Sequence, residues 1–322
     1  MNLPHALLMG LALTISTPLG HAQPYPVRPI RIIVPNAPSG VADFSARLIA
    51  AKLSEALGQQ VIVDNRVGAG GTLGTAAAVK SPPDGYTLIV VFDSHATNPS
   101  LFRNLDYDTV NDLTAVALLV RGPMLLVVHP NLAGVRTVRD FERLARSRPG
   151  ALNFATVGPG SPARLMMELL KLEARIDVTM VPYKGAALAL TDLMAGQVDA
   201  MFAAISSAGA YVKAGRLRAL AVTSIKPTPL APGLPTMAET YPGFRTDVWS
   251  GLLAPARTPP EIIARLNAEL GKILAQPDMQ TRLAEFGLEP VGGTPAQFEL
   301  WIRAEIERWG KVIRVQKITL DQ

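Results

Sequence analysis

The chain of 322 residues contains no cysteine. That absence excludes disulfides, thiolate metal sites and cysteine nucleophiles. Histidine is almost as scarce, with four in all. Two of these, His5 and His21, fall in the first 22 residues, so His95 and His129 alone remain, too few for a histidine metal cluster. Charge is thin at 18% of residues, against 48% hydrophobic. The 31 bases are interspersed with 26 acids for a net charge of +5, so the concentrated basic face of a nucleic-acid binder is missing and no nucleic-acid partner is expected. Beyond the first segment, no apolar run approaches the roughly 18 residues that a membrane span requires.

What is present begins with an export signal. Leu7-Leu8-Met9-Gly10-Leu11-Ala12-Leu13 is a short apolar core, and Gly20-His21-Ala22 puts small residues at the two cleavage-determining positions. The amino-terminal region carries no Lys or Arg, unlike most such signals. Residues 1–22 are read as a cleaved signal peptide, with cleavage near Ala22. The mature chain from Gln23 is expected to be soluble and exported. No cysteine stands at the cleavage site, which excludes a lipid anchor.

Downstream, β-branched apolar runs alternate with segments of helical spacing. Strands are expected at 30–34, 60–64, 86–92, 116–120, 124–129, 152–155, 178–181, 198–202, 217–223 and 249–254. Arg121-Gly122-Pro123 separates the fourth from the fifth. Helices are expected between most of them, and everything after Pro259 reads as helical. In the last helix, Phe298, Trp301, Ile302, Ile306, Trp309 and Ile313 form one apolar stripe, which reads as core packing. Thr137 to Ser147 carries Arg139, Arg143 and Arg146 on one face, either a solvated face or a docking surface. The alternation gives an α/β architecture, with mainly parallel sheets and helices on both faces.

In such sheets ligands collect outside the carboxyl ends of the strands. Two strand-to-helix turns there have the same build. Pro35-Asn36-Ala37-Pro38-Ser39-Gly40 leads into a helix containing Asp43, and Thr156-Val157-Gly158-Pro159-Gly160-Ser161-Pro162 leads into a helix containing Arg164. Each aims unpaired backbone N–H groups and a positive helix end at one point, which suits an anion. Facing each other, the two turns would clamp a carboxylate. Asp93-Ser94-His95-Ala96-Thr97-Asn98-Pro99 is expected as a polar loop on the same rim. Gly68 to Gly74 fails the dinucleotide fingerprint because Leu73 stands where glycine is required, and it reads as a close-packed turn.

The candidate ligand residues are Asn36, Ala37, Ser39, Gly40, Asp43, Asp93, Ser94, His95, Thr156, Gly158, Gly160, Ser161, Arg164, Tyr183 and Asp199. Several have equally good structural readings. Asp43 either stabilises its helix dipole or meets the ligand through water. Ser161 caps its helix or binds, and Arg164 pairs with an anion or lies on the surface. Tyr183 anchors the core by its ring while its hydroxyl faces the cleft. Asp199 serves a ligand amine or a buried hydrogen-bond network. A Ser94-His95-Asp93 triad fails because adjacent residues in an extended segment point to opposite faces, so no enzymatic activity and no cofactor are expected.

Six stretches resemble a known family. They are Pro35-x-x-Pro38-x-Gly40-x-x-Asp43-x-x-Ala46-Arg47, Asn65-Arg66-x-Gly68-Ala69-Gly70-Gly71, Pro83-Asp84-Gly85-Tyr86-Thr87-Leu88, Val181-Pro182-Tyr183-Lys184-Gly185, Leu217-Arg218-Ala219-Leu220-Ala221-Val222-Thr223-Ser224 and Trp249-x-Gly251-Leu252-x-Ala254-Pro255. In order and over nearly the whole mature chain, they are similar to the Bug-type periplasmic solute receptors of tripartite tricarboxylate transporters. The resemblance implies a two-lobed, type II-like periplasmic binding protein with its ligand cleft between the lobes. Lobe 1 would be 23–124 plus 246–322, with lobe 2 (125–245) inserted into it. It implies a small carboxylate or related amide as ligand and delivery to membrane permease subunits, or alternatively presentation to a sensor ectodomain. A monomer is the expected state. Asn36 stands where the family has an aromatic residue, Ser39 where it has glycine and Arg164 where it has histidine. These departures suggest a more polar or more anionic ligand than is typical.

Overall fold

A computed structural model describes residues 25–38, 40–132, 134–157 and 161–319 of the chain. The expected signal peptide and the candidates Ser39, Gly158 and Gly160 lie outside these residues.

Strand β1 (Ile30–Val34) is almost wholly buried, as its β-branched run requires. Helix α1 (Val41–Leu57) follows, with Ala42, Ala46, Ile49, Ala50, Leu53 and Leu57 on its buried stripe. Gly58, at φ +65°, ends it by donating its N–H to the Ser54 carbonyl, a left-handed stop that glycine adopts without strain. Then come β2 (Val61–Asn65), a short 3-10 turn at Ala69–Gly71, α2 (Thr72–Val79), β3 (Thr87–Phe92) and α3 (Asp93–Leu101). The long strand β4 (Leu113–Val128) leads to α4 (Val138–Ser147), β5 (Asn153–Val157), α5 (Pro162–Ala174), β6 (Thr179–Tyr183) and α6 (Ala186–Met194). After these follow β7 (Ala200–Ala204), α7 (Ile205–Lys213), β8 (Arg218–Val222) and α8 (Met237–Thr240). The chain continues through β9 (Asp247–Pro255), α9 (Pro260–Leu274), α10 (Pro277–Glu285), β10 (Glu289–Gly292) and α11 (Pro295–Val315).

The strands run in the order β2-β1-β3-β9-β4-β7-β5-β6, with β8 and β10 also paired to β4. Pairing is parallel at both outer ends, β2-β1-β3 and β6-β5-β7. The central strands depart from the expected parallel pattern: β9 is antiparallel to β3 and β4, and β4 is antiparallel to β7, β8 and β10. The cause is topological, since β4 and β9 carry the chain across the molecule and back again.

β4 also corrects the expectation of two strands around Arg121-Gly122-Pro123. It is continuous, pairing with β9 from Leu113 to Pro123 and with β7 and β8 from Met124 onward. The breakers are tolerated because pairing changes hands at that point. There the Met124 N–H donates to the Thr223 hydroxyl, and the Thr223 N–H donates to the Met124 carbonyl.

Two aromatic centres mark the core, Trp249 edge-on to Phe298 at 6.0 Å and Phe154 against Phe202 at 5.6 Å. The α11 stripe is packed inward at Phe298, Ile302, Trp309 and Ile313. On α4, Arg139 and Arg146 both pair with the buried Glu142, at 3.0 and 2.7 Å, and Arg143 lies 3.4 Å from Asp140.

Candidate functional site

A cleft of about 760 Å³ opens at the carboxyl ends of β1, β2, β3 and β5. Three stretches wall it from one side, and Val157, Ser161 and Pro162 face it from the other. The first wall is Pro35-Asn36-Ala37. Behind it stands Asn65, whose Nδ2 donates to the Asn36 carbonyl at 3.1 Å and to Asp43 Oδ1 at 2.9 Å. Arg47 donates from Nε to both oxygens of Asp43, at 3.0 and 3.1 Å, and from Nη2 to Asn65 Oδ1 at 2.8 Å. Asp43 is therefore buried behind the loop, and its charge is met by a guanidinium and by the positive end of α1. Gly40 caps α1, and any side chain there would run into the Asn36 amide.

The second wall is Val67 and the turn from Gly68 to Gly71. Gly70 and Gly71 have φ of +63° and +94°, which favours glycine at both. A side chain at Gly71 would press on the Pro35 carbonyl, 3.2 Å away, and would sit beside the Ser94 hydroxyl, so the bare backbone lets the first wall approach the second this closely.

The third wall is α3 with Phe92 before it and Phe102 after it. Asp93 to Pro99 is helical rather than the expected loop, and this decides which side chains reach the cleft. Ser94, Asn98 and Leu101 stand at helical spacing on the cleft face. Asn98 Nδ2 donates to the Gly70 carbonyl at 3.1 Å and locks the helix to the turn. Asp93 and His95 are buried instead. Burial, reinforced by the charge of Glu305, holds the Asp93 carboxyl well above the usual range. Burial pushes the His95 ring down to about 4. A neutral imidazole and a high-pKa acid beneath the surface are core groups by their environment.

The far wall is Val157, Ser161 and Pro162. The Ser161 hydroxyl accepts from the Arg164 N–H at 3.3 Å and caps α5. The other candidates in this half lie off the cleft. Thr156 is buried within β5. Arg164 Nε lies 4.0 Å from Glu168 Oε1 on its own helix, with its side chain 11% exposed. The Tyr183 hydroxyl donates to Asp192 Oδ2 at 2.8 Å, and burial and that carboxylate both raise its pKa. Asp199 accepts from the Asn153 N–H at 2.7 Å, at the start of β5 and so at the strand end away from Val157.

The cleft thus gathers Asn36, Ala37, Ser94 and Ser161 from the sequence candidates. Val67, the Gly68–Gly71 turn, Asn98 and Phe102 were missed. The signal for the glycine turn was available: it follows β2, whose carboxyl end lies on the same rim as those of β1 and β3. None of the described residues lining the cleft is charged. A smaller hollow of about 230 Å³, bordered by Arg121, Lys226, Asp247 and Glu289, lies at the β4 handover rather than at the strand ends.

Comparison with known proteins fits this geometry. Residues 45–319 match the tripartite tricarboxylate transporter family receptor. Protein BugT of Bordetella pertussis (strain Tohama I) is 38% identical over 308 residues, covering 95% of this chain and 93% of its own. The structure of R. palustris Rpa4515 with adipate superposes with a TM-score of 0.80 at 38% identity, over 91% of this chain and 99% of that one. MatC from Rhodopseudomonas palustris with bound malate gives 0.76 at 35% identity, over 90% of this chain and all (100%) of that one. The chain belongs to the tripartite tricarboxylate transporter receptor family, a family of two-lobed periplasmic solute-binding proteins and not of enzymes.

Proposed function

We propose that this protein is a monomeric extracytoplasmic receptor that binds a small carboxylate, or a related amide, and delivers it to the membrane permease of a tripartite tricarboxylate transporter. The observation that carries this reading is that Pro35, Asn36 and Ala37, ahead of α1, and Val157, Ser161 and Pro162, at the start of α5, line one cleft. Each ends in a helix amino terminus, where backbone N–H groups and the helix dipole favour an anion. The backbone donors of Ser39, Gly158 and Gly160 belong to this clamp by the sequence argument. The adipate and malate in the related structures support the ligand class.

We take lobe 1 as 23–124 with 246–322 and lobe 2 as 125–245. This division is supported by the change of pairing partners at Met124, next to Thr223. Bound acid would bridge the two turns, and the lobes would close by hinging where β4 passes between them. The test is calorimetric titration of the mature chain, unfolded and refolded to strip carried-over ligand, against mono-, di- and tricarboxylates and uncharged amides. Micromolar or tighter binding of an acid is expected. If an Arg164→Ala variant keeps full affinity, the clamp consists of backbone groups and Arg164 belongs to α5 alone. A deletion strain is expected to lose uptake of the acid that binds; wild-type uptake together with lost transcriptional response would transfer the role to a sensor.

A further inference from the structure

We infer that the cleft is built for an acid with one carboxylate and an extended apolar body, an aliphatic or aromatic monocarboxylic acid, in preference to a compact hydroxy-dicarboxylate or a tricarboxylate. This rests on the receptor reading above and narrows its ligand class. It also reverses the sequence expectation of a more polar or more anionic ligand.

The first observation is the lack of countercharge. No Lys, Arg or His is among the described residues that line the cleft. One carboxylate can be held by the two helix ends and neutral donors. A second or third would enter a partly desolvated space with no cation among the described lining residues to meet it, and burying an unpaired charge is costly.

The second observation is the gradient along α3. Its cleft face begins with Ser94 at the strand end and finishes with Leu101 and Phe102, which at the helical rise lie about 10 Å further along. Asn98, midway, has its amide nitrogen engaged by the Gly70 carbonyl. The Phe102 ring lies beside the same turn, about 3.4 Å from where a methyl group on Gly70 would sit. The polar end of the cleft is therefore at the helix termini, and its far end is hydrocarbon.

The third observation is an apolar lip. Val67, in the cleft wall, is 60% exposed, and Leu73, which packs over Gly68, is 62% exposed. Both place aliphatic surface at the mouth of the cleft, where an apolar ligand tail would cover it. A volume of about 760 Å³ sits within the roughly 300–1,000 Å³ of pockets for drug-sized molecules, which suits an elongated acid.

The test titrates the stripped mature protein with butanoate, hexanoate, octanoate and benzoate, alongside malate, adipate and citrate. Affinity is expected to climb about fourfold per added methylene along the aliphatic series until the apolar end is filled. Val67→Ser and Phe102→Ala should each lower octanoate affinity by roughly tenfold and butanoate affinity by clearly less, since the contact each removes is with the tail. Thermal unfolding of each variant checks its fold; if Phe102→Ala does not fold, the exposed position 67 decides. Tighter binding of malate or citrate than of octanoate, or of adipate than of hexanoate, overturns the inference and leaves the carboxylate receptor standing. Loss of affinity for butanoate and octanoate alike in Val67→Ser also overturns it. Failure of every acid to bind overturns both this inference and the carboxylate ligand of the receptor reading, leaving only the amide alternative.

Discussion

Asn65 holds the site together from behind. Its amide joins the Asn36 carbonyl to Asp43 and accepts from Arg47 in turn, so one side chain fixes the turn after β1 to the end of β2. Asn65→Ala should weaken ligand affinity roughly tenfold and cost about 1–2 kcal/mol of stability, the range for removing a partner from a buried polar network; calorimetry and denaturant melts read the two effects. His95 gives a prediction of a different kind. Burial pushes its ring down to about 4, so the folded state keeps it neutral while the unfolded chain takes up a proton below about 6.5. The unfolded state then binds more protons between those values, and stability is lost as pH falls from about 6.5 towards 4, by about 3 kcal/mol at most. His95→Gln should flatten that part of the stability profile in denaturant titrations. Asp93 slopes the other way: its raised pKa favours the fold at low pH, and that contribution is lost as pH rises through the folded value.

At the scale of elements, β4 matters most, because its two halves serve different strand sets. Gly122, just before the handover, has no room for a side chain: a methyl group would collide with the Gly287 carbonyl, a backbone atom with little freedom to yield. Gly122→Ala should cost roughly 1–3 kcal/mol, as overpacking does, measured by urea unfolding. The sequence foretold the elements whose pattern is local. β1, α1 and α11 were legible from β-branched runs, apolar spacing and turn residues. α3 was not, because Asp93 to Pro99 is polar and carries proline; its helix is fixed by packing against α11, β3 and β9. β10 was not legible either, since Glu-Pro-Val-Gly has no strand signal and pairs only because β4 offers a partner. The site divides in the same way. Asn36, Ala37 and Ser161, which line the cleft, could be read from strand-end chemistry. Tyr183 and Asp199 could not, since Asp192 and the Asn153 N–H become their partners only in the folded chain.

At the scale of the whole molecule, the two halves share a strand as well as a cleft. β4 runs unbroken from one set of strands into the other, so the proposed closure would have to bend or twist that strand rather than slide two separate bodies past each other. Saturating the stripped receptor with an acid that binds should lower its radius of gyration in X-ray solution scattering, by the compaction that hinge closure brings. An unchanged value would mean that the cleft is already closed without ligand. The described residues that line the cleft are uncharged, which should make binding nearly insensitive to salt. Raising salt from about 10 mM to about 1 M shortens the screening length from about 30 Å to about 3 Å and would strip affinity from a lysine or arginine clamp. Here the dissociation constant should move by less than about twofold over that range, because short contacts to backbone dipoles within the cleft are screened far less than exposed charges. Such a receptor would report how much acid is present and stay indifferent to the salinity of the water that carries it.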